Sequence, residues 1–277
     1  MTPTGVIAIT GAGAGLGLGV ATECARRGYQ VLALILDESQ RAGVLNATTD
    51  APGPVDIKIL DVSKPGDFAF PADLEILVNN AGIRLKNLPV EAISLDEWRL
   101  YFEINFFGAV ELTRRAIPLL RARRGGVICN INSGSITGPY PFLGPYRATK
   151  GAMAAFSETL RAELAPFGVR IVEIMPGAVR TGINAESVTQ RVAHAADYPP
   201  YAPMAHRQRE LFLASGFQPN EIEPAAARIV DALLDETGPM RYGTCDASDA
   251  GIEAWRPGQG GEPKMKAFID LLLPAKP

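Results

Sequence analysis

A run of alternating glycines near the N-terminus constrains the fold more than any other feature of the chain. Residues 10–19 read Thr-Gly-Ala-Gly-Ala-Gly-Leu-Gly-Leu-Gly. The apolar run before them, residues 6–9, predicts a buried strand, and residues 20–27 predict a helix that ends at Gly28. Glycines in such a turn let the backbone approach a pyrophosphate, and the helix N-terminus offers it N–H groups. A glycine-rich turn alone is also consistent with a flexible loop, but the flanking elements favour a dinucleotide-binding unit.

Apolar runs alternate with helical patterns along most of the chain. Amphipathic patterns predict helices over residues 96–121, after an N-cap region at Ser94, and over residues 146–166. The connection 61–74 is short and holds Pro and Gly, so a full helix is not expected there. This alternation predicts an α/β fold with a doubly wound parallel sheet (Rossmann-like) and ligands at the carboxyl ends of the strands. Five further runs predict strands buried on both faces: 31–36, 55–60, 74–78, 126–131 and 169–174.

Composition excludes several classes of protein. Hydrophobic residues make up 47% and charged residues 21% of the 277 residues, which favours one folded domain over 1–277. A net charge of −3 gives no electrostatic footprint for nucleic acid. Three widely spaced cysteines predict no metal site and a reducing, cytoplasmic location. No run is long and apolar enough to span a membrane. Residues 182–220 have weak periodicity and predict a substrate lid inserted in the domain.

Three hydroxyl and amine side chains predict a proton-transfer site. Tyr146 and Lys150 are four residues apart, so they share one face of the predicted helix. A lysine ammonium beside a phenol lowers the phenol's pKa, which lets the phenol exchange a proton with an alcohol or carbonyl oxygen. Ser133 lies thirteen residues before Tyr146 and its hydroxyl could hold the same oxygen. Ser135 is a second candidate for that task, although the spacing favours Ser133.

These motifs, with Asn79-Asn80-Ala81-Gly82, Asn105 and Pro176-Gly177, occur in the order and spacing of the short-chain dehydrogenase/reductase family. Residues 4–182 resemble it closely. The resemblance implies that Tyr146 is the general acid/base, that Ser133 orients the substrate oxygen, and that Lys150 tunes the phenol and binds the nicotinamide ribose. It implies that Asn105 holds a water linking Lys150 to solvent, although Asn105 could instead be a helix-kink residue. It also implies a homodimer or homotetramer through the fourth and fifth helices.

The resemblance further implies a nicotinamide cofactor bound by the glycine turn and the strand ends. Asn79 could simply close a turn, and Thr181 could be an ordinary N-cap. The implied cofactor-binding residues are Gly11, Gly13, Gly15, Leu16, Gly17, Asp61, Val62, Asn80, Ala81, Gly82, Tyr146, Lys150, Pro176, Gly177, Val179 and Thr181.

The acid that selects between NAD and NADP is displaced from its usual place. An acidic side chain at the end of the second strand binds the ribose hydroxyls, whereas an arginine accommodates a 2′-phosphate. Counting from Gly28, the usual position holds Ile35, and Asp37 follows two residues later. Asp37 beside Glu38, with no cation nearer than Arg41, would hold a 2′-phosphate poorly, which predicts NAD. The alternative is that Asp37 only caps the following helix.

Apolar side chains predict a hydrophobic substrate. The missing strand-end acid and the long lid resemble the branch that contains 17β-hydroxysteroid and retinol dehydrogenases. We therefore expect an alcohol dehydrogenase for a secondary alcohol or ketone on a bulky ring or aryl scaffold. The alternatives are an NADP-dependent carbonyl reductase of the same fold and a catalytically silent dinucleotide-binding protein. The expected apolar wall comprises Ile136, Pro139, Tyr140, Phe142 and Leu143, and the lid adds Tyr198, Tyr201, Met204 and Phe212.

Overall fold

A seven-stranded parallel sheet forms the centre of the molecule. The computed structural model describes residues 4–181, 194–214 and 218–255. The strand order β3-β2-β1-β4-β5-β6-β7 reverses between β1 and β4, which confirms the predicted doubly wound α/β fold. The strands are β1 Val6–Thr10, β2 Val31–Ile35, β3 Val55–Ile59, β4 Leu74–Asn79, β5 Val127–Ile131, β6 Arg170–Met175 and β7 Arg241–Gly243.

Helices cover both faces of this sheet. On one face Ile7 and Ile9 of β1 pack in a cluster with Ile229, and on the other Ala8 packs in a cluster with Leu112. Each fully buried aliphatic side chain of this kind stabilises the fold by about 1.5–3 kcal/mol. The helices are α1 Gly15–Arg26, α2 Arg41–Thr48, α3 Leu95–Phe102, α4 Gly108–Arg123, α5 Gly144–Leu164, α6 Ala202–Ala214, α7 Ile222–Leu234 and α8 Asp246–Ala254. Among the described helices, none is both long and apolar enough to cross a bilayer.

The edges of the sheet differ from the sequence-based expectation. All residues of β1, β2, β4 and β5 are buried, as predicted for strands covered on both faces. The prediction is wrong for β3, where Asp56 and Lys58 are exposed because β3 is an edge strand. The short edge strand β7 was not predicted. It pairs with β6 through Glu173 and Arg241, so pairing rather than local pattern establishes it.

The helical segments also depart from their predicted bounds. Helix α1 begins inside the glycine run, at Gly15, rather than at residue 20 as predicted. Glycine is a poor helix former, so the first turn of the helix has no helical sequence pattern. The predicted helix 96–121 is divided by a π-helical turn, Glu103–Phe107, between α3 and α4. Ser94 caps α3 as predicted, since its hydroxyl accepts a hydrogen bond from Glu97 N at 3.2 Å. The connection 61–74 contains turns and no helix, which confirms that prediction.

The predicted lid is only partly described. Residues 182–193 and 215–217 lie outside the described residues. The described part contains the helix α6, and the role of the range as a lid stays a prediction. Helix α6 buries only Ala205 and Gln208 among its residues, which explains why its sequence shows weak apolar periodicity.

Candidate active site

A cavity of about 680 Å³ opens at the carboxyl ends of the central strands and gathers most of the predicted site residues. Ligands bind at this edge in open α/β sheets, where the strand order reverses. Three predicted residues, Gly13, Asp37 and Asn105, are not on its lining. Those that line it are Gly11, Gly15, Leu16, Gly17, Asp61, Val62, Asn80, Ala81, Gly82, Ser133, Tyr146, Lys150, Pro176, Gly177, Val179 and Thr181.

The glycine turn is cross-linked to the end of β4. Asn80 Nδ2 donates hydrogen bonds to the carbonyl oxygens of Thr10 at 2.9 Å and Gly11 at 3.2 Å. Thr10 Oγ1 accepts from the N–H groups of Asn80 and Ala81, both at 2.9 Å. A Cβ on Gly17 would lie 2.3 Å from both Asn80 Nδ2 and the Gly11 carbonyl oxygen. The turn therefore requires glycine at this position, because any side chain would separate it from β4.

The start of α1 fits an anionic group. Gly15, Leu16 and Gly17 form the first turn of this helix and line the cavity. N–H groups of a first helical turn have no intrahelical acceptor, and the helix dipole favours negative charge there. The first turn carries no acidic side chain that would compete for these groups. These residues therefore fit the pyrophosphate of a dinucleotide.

One predicted cofactor residue, Asp37, makes hydrogen bonds within the turn after β2. Asp37 Oδ1 accepts from Ser39 N at 2.9 Å and caps a short 3₁₀ turn, which is the alternative role considered for it. Gln40 Oε1 accepts from Leu36 N at 2.9 Å and occupies the space beside Gly13. Leu36 and Gln40 thus line the cavity where Asp37 was expected. The spacing of Asp37 and Gln40 is that of a capping box, a signal that could have identified this turn.

Lys150 is fixed beneath the phenol ring of Tyr146. Its side chain is buried, and Nζ donates a hydrogen bond to the carbonyl oxygen of Ile131 at 2.7 Å. Nζ lies 5.9 Å from the centroid of the Tyr146 ring. Burial lowers the pKa of Lys150, while the nearby Tyr146 and Glu173 act to raise it. The arrangement keeps a cationic group between the end of β5 and the phenol.

Ser133 lies at the end of β5 and on the same cavity as Tyr146. Its Oγ accepts a hydrogen bond from Ser135 N at 3.1 Å and donates one to Ser135 Oγ at 2.9 Å. Arg147 Nε donates to the Ser135 carbonyl oxygen at 2.9 Å, which ties this turn to α5. Both serines line the cavity, so Ser135 remains the second candidate for holding a substrate oxygen.

Asn105 lies in the π-helical turn and contacts the backbone of Ile83. Asn105 Oδ1 accepts from Ile83 N at 2.7 Å, and Nδ2 donates to the Ile83 carbonyl oxygen at 2.9 Å. Nδ2 also contacts Thr149 Oγ1 at 3.4 Å. These contacts hold the segment after Gly82 against α5. The water-relay role implied for Asn105 stays a prediction.

Part of the predicted apolar wall lies on the cavity. Tyr140, Leu143 and Phe212 line it, whereas Ile136, Pro139, Tyr198, Tyr201 and Met204 do not. Phe142 is buried instead against the described part of the lid, with its ring 6.2 Å from that of Tyr201. Within the described ranges, no group of three His, Cys, Asp or Glu side chains could hold a metal ion. The polar lining residues that sequence reasoning missed include Gln40, Arg84, Asn132, Asn220, Cys245 and Ser248.

Known proteins resemble the chain in sequence and in fold. It is 34% identical to human 11-beta-hydroxysteroid dehydrogenase type 2 over 188 residues, which cover 64% of this chain and 46% of that enzyme. The match thus spans about half the length of that relative, and it confirms the predicted resemblance to the hydroxysteroid dehydrogenase branch.

Two solved structures share its architecture. A short-chain dehydrogenase from Streptomyces avermitilis has a TM-score of 0.74 at 25% identity, covering 98% of this chain and 96% of that one. A closed form of serine dehydrogenase complexed with NADP⁺ has a TM-score of 0.66, covering 86% of this chain and 93% of that one. At 24% identity, this second likeness establishes the fold alone.

A family-level comparison agrees with the motifs and the geometry. The profile of the short chain dehydrogenase family matches residues 5–192, a range that includes the glycine turn, Ser133, Tyr146 and Lys150. The chain belongs to the short-chain dehydrogenase family.

Proposed function

We propose that the protein interconverts a secondary alcohol and a ketone, with Tyr146 as the proton carrier. Members of its family are oxidoreductases that move hydride with a nicotinamide cofactor, NAD or NADP. The observation that carries the proposal is that the first turn of α1 and the side chains of Ser133, Tyr146 and Lys150 line one cavity. An anion-binding turn and a proton-transfer group in one cavity are what hydride transfer to a dinucleotide requires.

The proposed mechanism assigns one task to each side chain. The hydroxyl of Ser133 and the phenolate of Tyr146 hold the substrate alcohol, and the phenolate accepts its proton as the carbon is oxidised. The ammonium of Lys150 stabilises the phenolate electrostatically and orients the ribose of the cofactor. Asn105 fixes the backbone at Ile83 and holds the proposed water beside Lys150. When bound, the nicotinamide supplies the hydride acceptor, or the donor for a ketone.

We further propose that NAD is preferred over NADP. Uncharged Leu36 and Gln40 line the cavity at the end of β2, where a cation would be needed for a 2′-phosphate. Arg41, the next cation along the chain after β2, forms an ion pair with Glu38. The serine dehydrogenase that holds NADP⁺ resembles this chain in fold alone, so it does not decide the choice. Fluorescence titration should give a lower dissociation constant for NADH than for NADPH, and the reverse order would refute the preference.

The proposed substrate carries its reacting carbon on a bulky hydrophobic scaffold. A cavity of about 680 Å³ accommodates both a dinucleotide end and a ring system, and Tyr140, Leu143 and Phe212 give it apolar walls. Similarity to a hydroxysteroid dehydrogenase supports the same substrate class. The range 182–220 would act as the lid of this domain, with Phe212 as its described contribution to the wall.

A panel of alcohols and ketones tests the proposed function. Absorbance of the reduced cofactor is followed with NAD or NADP and with ring-bearing secondary alcohols, and with NADH and the matching ketones. We expect turnover of at least one alcohol–ketone pair. If the protein binds NADH tightly but turns over no member of the panel, the catalytically silent alternative replaces this proposal.

A further inference from the structure

The backbone at Phe142 is left-handed, although Phe142 is a bulky residue. Its φ is 64°, and among the described non-glycine residues the other positive φ belongs to Arg124, at 57°. Arg124 follows the last turn of α4, a place where helices commonly adopt this conformation. Phe142 instead lies in a turn, two residues before α5 begins. A bulky residue in the left-handed region costs free energy, so other contacts have to hold this conformation.

Contacts of the phenyl ring with the described part of the lid, residues 194–214, supply stabilisation for this strained backbone. Phe142 is 7% exposed and packs in one cluster with Ala195 and Ala205, whose small side chains are both buried. The ring of Tyr201 lies 6.2 Å from the Phe142 ring at an interplanar angle of 86°, which is the favourable edge-to-face arrangement. These partners are distant in sequence, so the ring, rather than the local turn, holds the backbone.

The identity of the side chain indicates that the ring has a task of its own. Glycine populates positive φ without steric cost. A turn that needed only this backbone conformation would therefore be less strained with glycine at position 142. Phe142 instead combines the strained backbone with a ring that reaches the lid. The residue thus connects the lid to the turn that leads into α5.

The strained bond separates two parts of the cavity wall. Rotation about the N–Cα bond of Phe142 moves Tyr140 relative to Leu143, and both of these residues line the cavity. Leu143 is joined to α5, because its carbonyl oxygen accepts a hydrogen bond from Arg147 N at 2.9 Å. Tyr146 lies in the first turn of the same helix. A return of Phe142 to negative φ would therefore displace Tyr140 relative to Leu143 and Tyr146.

We propose that Phe142 is a positioning residue for the substrate. Its ring, held by the lid, keeps the backbone left-handed and thereby fixes Tyr140 relative to Leu143 on the cavity wall. Phe142 does not line the cavity itself, so it acts through these two neighbours. The inference rests on the proposed hydride transfer at Tyr146 and deepens it, since it names a residue that shapes the site for the substrate.

Single substitutions separate the ring from the backbone. Phe142→Ala removes the ring and keeps a residue that disfavours positive φ, whereas Phe142→Gly removes the ring and accepts this φ. Phe142→Leu keeps an apolar side chain for the lid. Where Phe142→Ala does not fold, Tyr201→Ala replaces it, since it removes only the partner ring. Phe70→Ala is the matched control, because Phe70 is 8% exposed, belongs to another edge-to-face pair and does not line the cavity.

Steady-state kinetics with the ketones of the panel, at saturating NADH, give the first measurement. Phe142→Ala should lower kcat/KM about 10- to 100-fold, mainly through KM, because the displaced wall no longer orients the substrate. Phe142→Gly and Phe142→Leu should each recover part of this loss. Phe70→Ala should lower stability and leave KM unchanged, and the dissociation constant of NADH should stay at the wild-type value throughout.

Two kinetic results would overturn the inference. One is a Phe142→Ala variant with the wild-type KM, or with a loss no larger than that of Phe70→Ala. The other is an equal loss in Phe142→Ala and Phe142→Gly, since the backbone conformation would then have no part in the effect.

Crystal structures keep the inference distinct from the proposed function, because they require no turnover. With NADH bound, wild type and Phe142→Gly should keep a positive φ at position 142, whereas Phe142→Ala should return to negative φ and displace Tyr140. If wild type reduces no ketone but Phe142→Ala shows this displacement, the hydride-transfer proposal fails and the control of the cavity wall by Phe142 stands. If Tyr140 keeps its place in Phe142→Ala, the positioning role is refuted whatever the turnover.

Discussion

The proposed role of Lys150 and its buried position have opposite effects on the charge of its amine. Its task beside Tyr146 requires a positive charge, whereas its buried position disfavours that charge. The hydrogen bond to the Ile131 carbonyl offsets part of the cost, since it gives the ammonium a fixed acceptor at 2.7 Å. Lys150 therefore lowers the free energy of unfolding, and its ammonium lies beside the phenol of Tyr146.

This conflict predicts a pH-dependent stability. Burial holds the folded-state pKa of Lys150 below its ordinary value of about 10.4, so between the two values the unfolded chain binds more protons. The free-energy cost of burying the protonated amine is fully present below the folded-state pKa. It disappears as pH rises to about 10.4, the pKa of the amine in the unfolded chain. The free energy of unfolding of wild type relative to Lys150→Met should therefore increase with pH across this window, as measured by denaturant titration. A difference that stays flat, or decreases, would contradict the account, and the exposed Lys86→Met serves as the control.

Cys245 should be the reactive thiol. Burial acts to raise its pKa, but hydrogen bonds from Ser248, from the Asn220 side chain and from the Ala247 backbone together outweigh burial and lower it. Burial raises the pKa of Cys24 to about 12 and that of Cys129 further still. A disulfide reagent should label one thiol per native chain, more slowly with NADH bound because Cys245 lines the cavity. Cys245→Ser should abolish this reaction, and native labelling of Cys24 or Cys129 would contradict the prediction.

At the scale of elements, the glycine turn is held to β4 by contacts that tolerate no side chain. A Cβ on Gly17 would collide with Asn80 Nδ2 and the Gly11 carbonyl oxygen, whereas a Cβ on Gly43 in α2 would meet nothing within 4 Å. Gly17→Ala should weaken NADH binding at least tenfold and lower the free energy of unfolding by about 1–3 kcal/mol. Gly43→Ala should leave binding unchanged and add up to about 1 kcal/mol. Wild-type affinity in Gly17→Ala would show that the turn does not hold the cofactor.

Elements with a strong local pattern were predictable, and those that depend on partners were not. The apolar runs of β1 and β4 and the N-cap of α3 at Ser94 specify their own structure. Strand β7 has three residues and exists through its pairing with β6, and α6 buries too few residues to show a period. Burial of β3 was overestimated because its position at the sheet edge is a property of the whole fold.

The same difference between local patterns and tertiary contacts explains which site residues could be predicted. Gly17, Tyr146 and Lys150 belong to motifs whose spacing within one element carries their chemistry. Arg84 and Cys245 reach the cavity through tertiary packing of segments that have no motif of their own. Asp37 lies off the cavity lining, whereas Leu36 and Gln40 lie on it, because the hydrogen bonds of the local turn, rather than the count from the preceding glycine, orient these side chains.

At the scale of the whole molecule, an apolar surface lies along α3, the π-helical turn and α4. Leu95 is 69% exposed, Leu100 44% and Phe107 50%. An edge-to-face contact at 6.0 Å between Phe106 and Phe156 links this region to α5. We propose that these helices form the interface of a cytoplasmic homo-oligomer, as the resemblance implied for the fourth and fifth helices.

A charged substitution tests this interface. Phe107→Glu should reduce the molar mass measured by light scattering to that of one chain, because a carboxylate cannot be buried without a partner. Leu45→Glu, which changes a 50% exposed leucine on the distant helix α2, should leave the mass unchanged. A wild-type protein that is monomeric at micromolar concentration would show that the interface does not form. A Phe107→Glu variant that stays oligomeric would show that the interface lies elsewhere.

Isotope transfer tests the central claim, hydride transfer with proton exchange at Tyr146, most directly. Reduced cofactor deuterated at the transferring carbon is mixed with a ketone substrate, and the alcohol product is analysed by mass spectrometry. Wild type should place deuterium on the carbinol carbon. At saturating NADH, Tyr146→Phe should form this product about 10²- to 10⁴-fold more slowly, since general acid catalysis is lost. Product without deuterium, or a wild-type rate in Tyr146→Phe, would contradict the account.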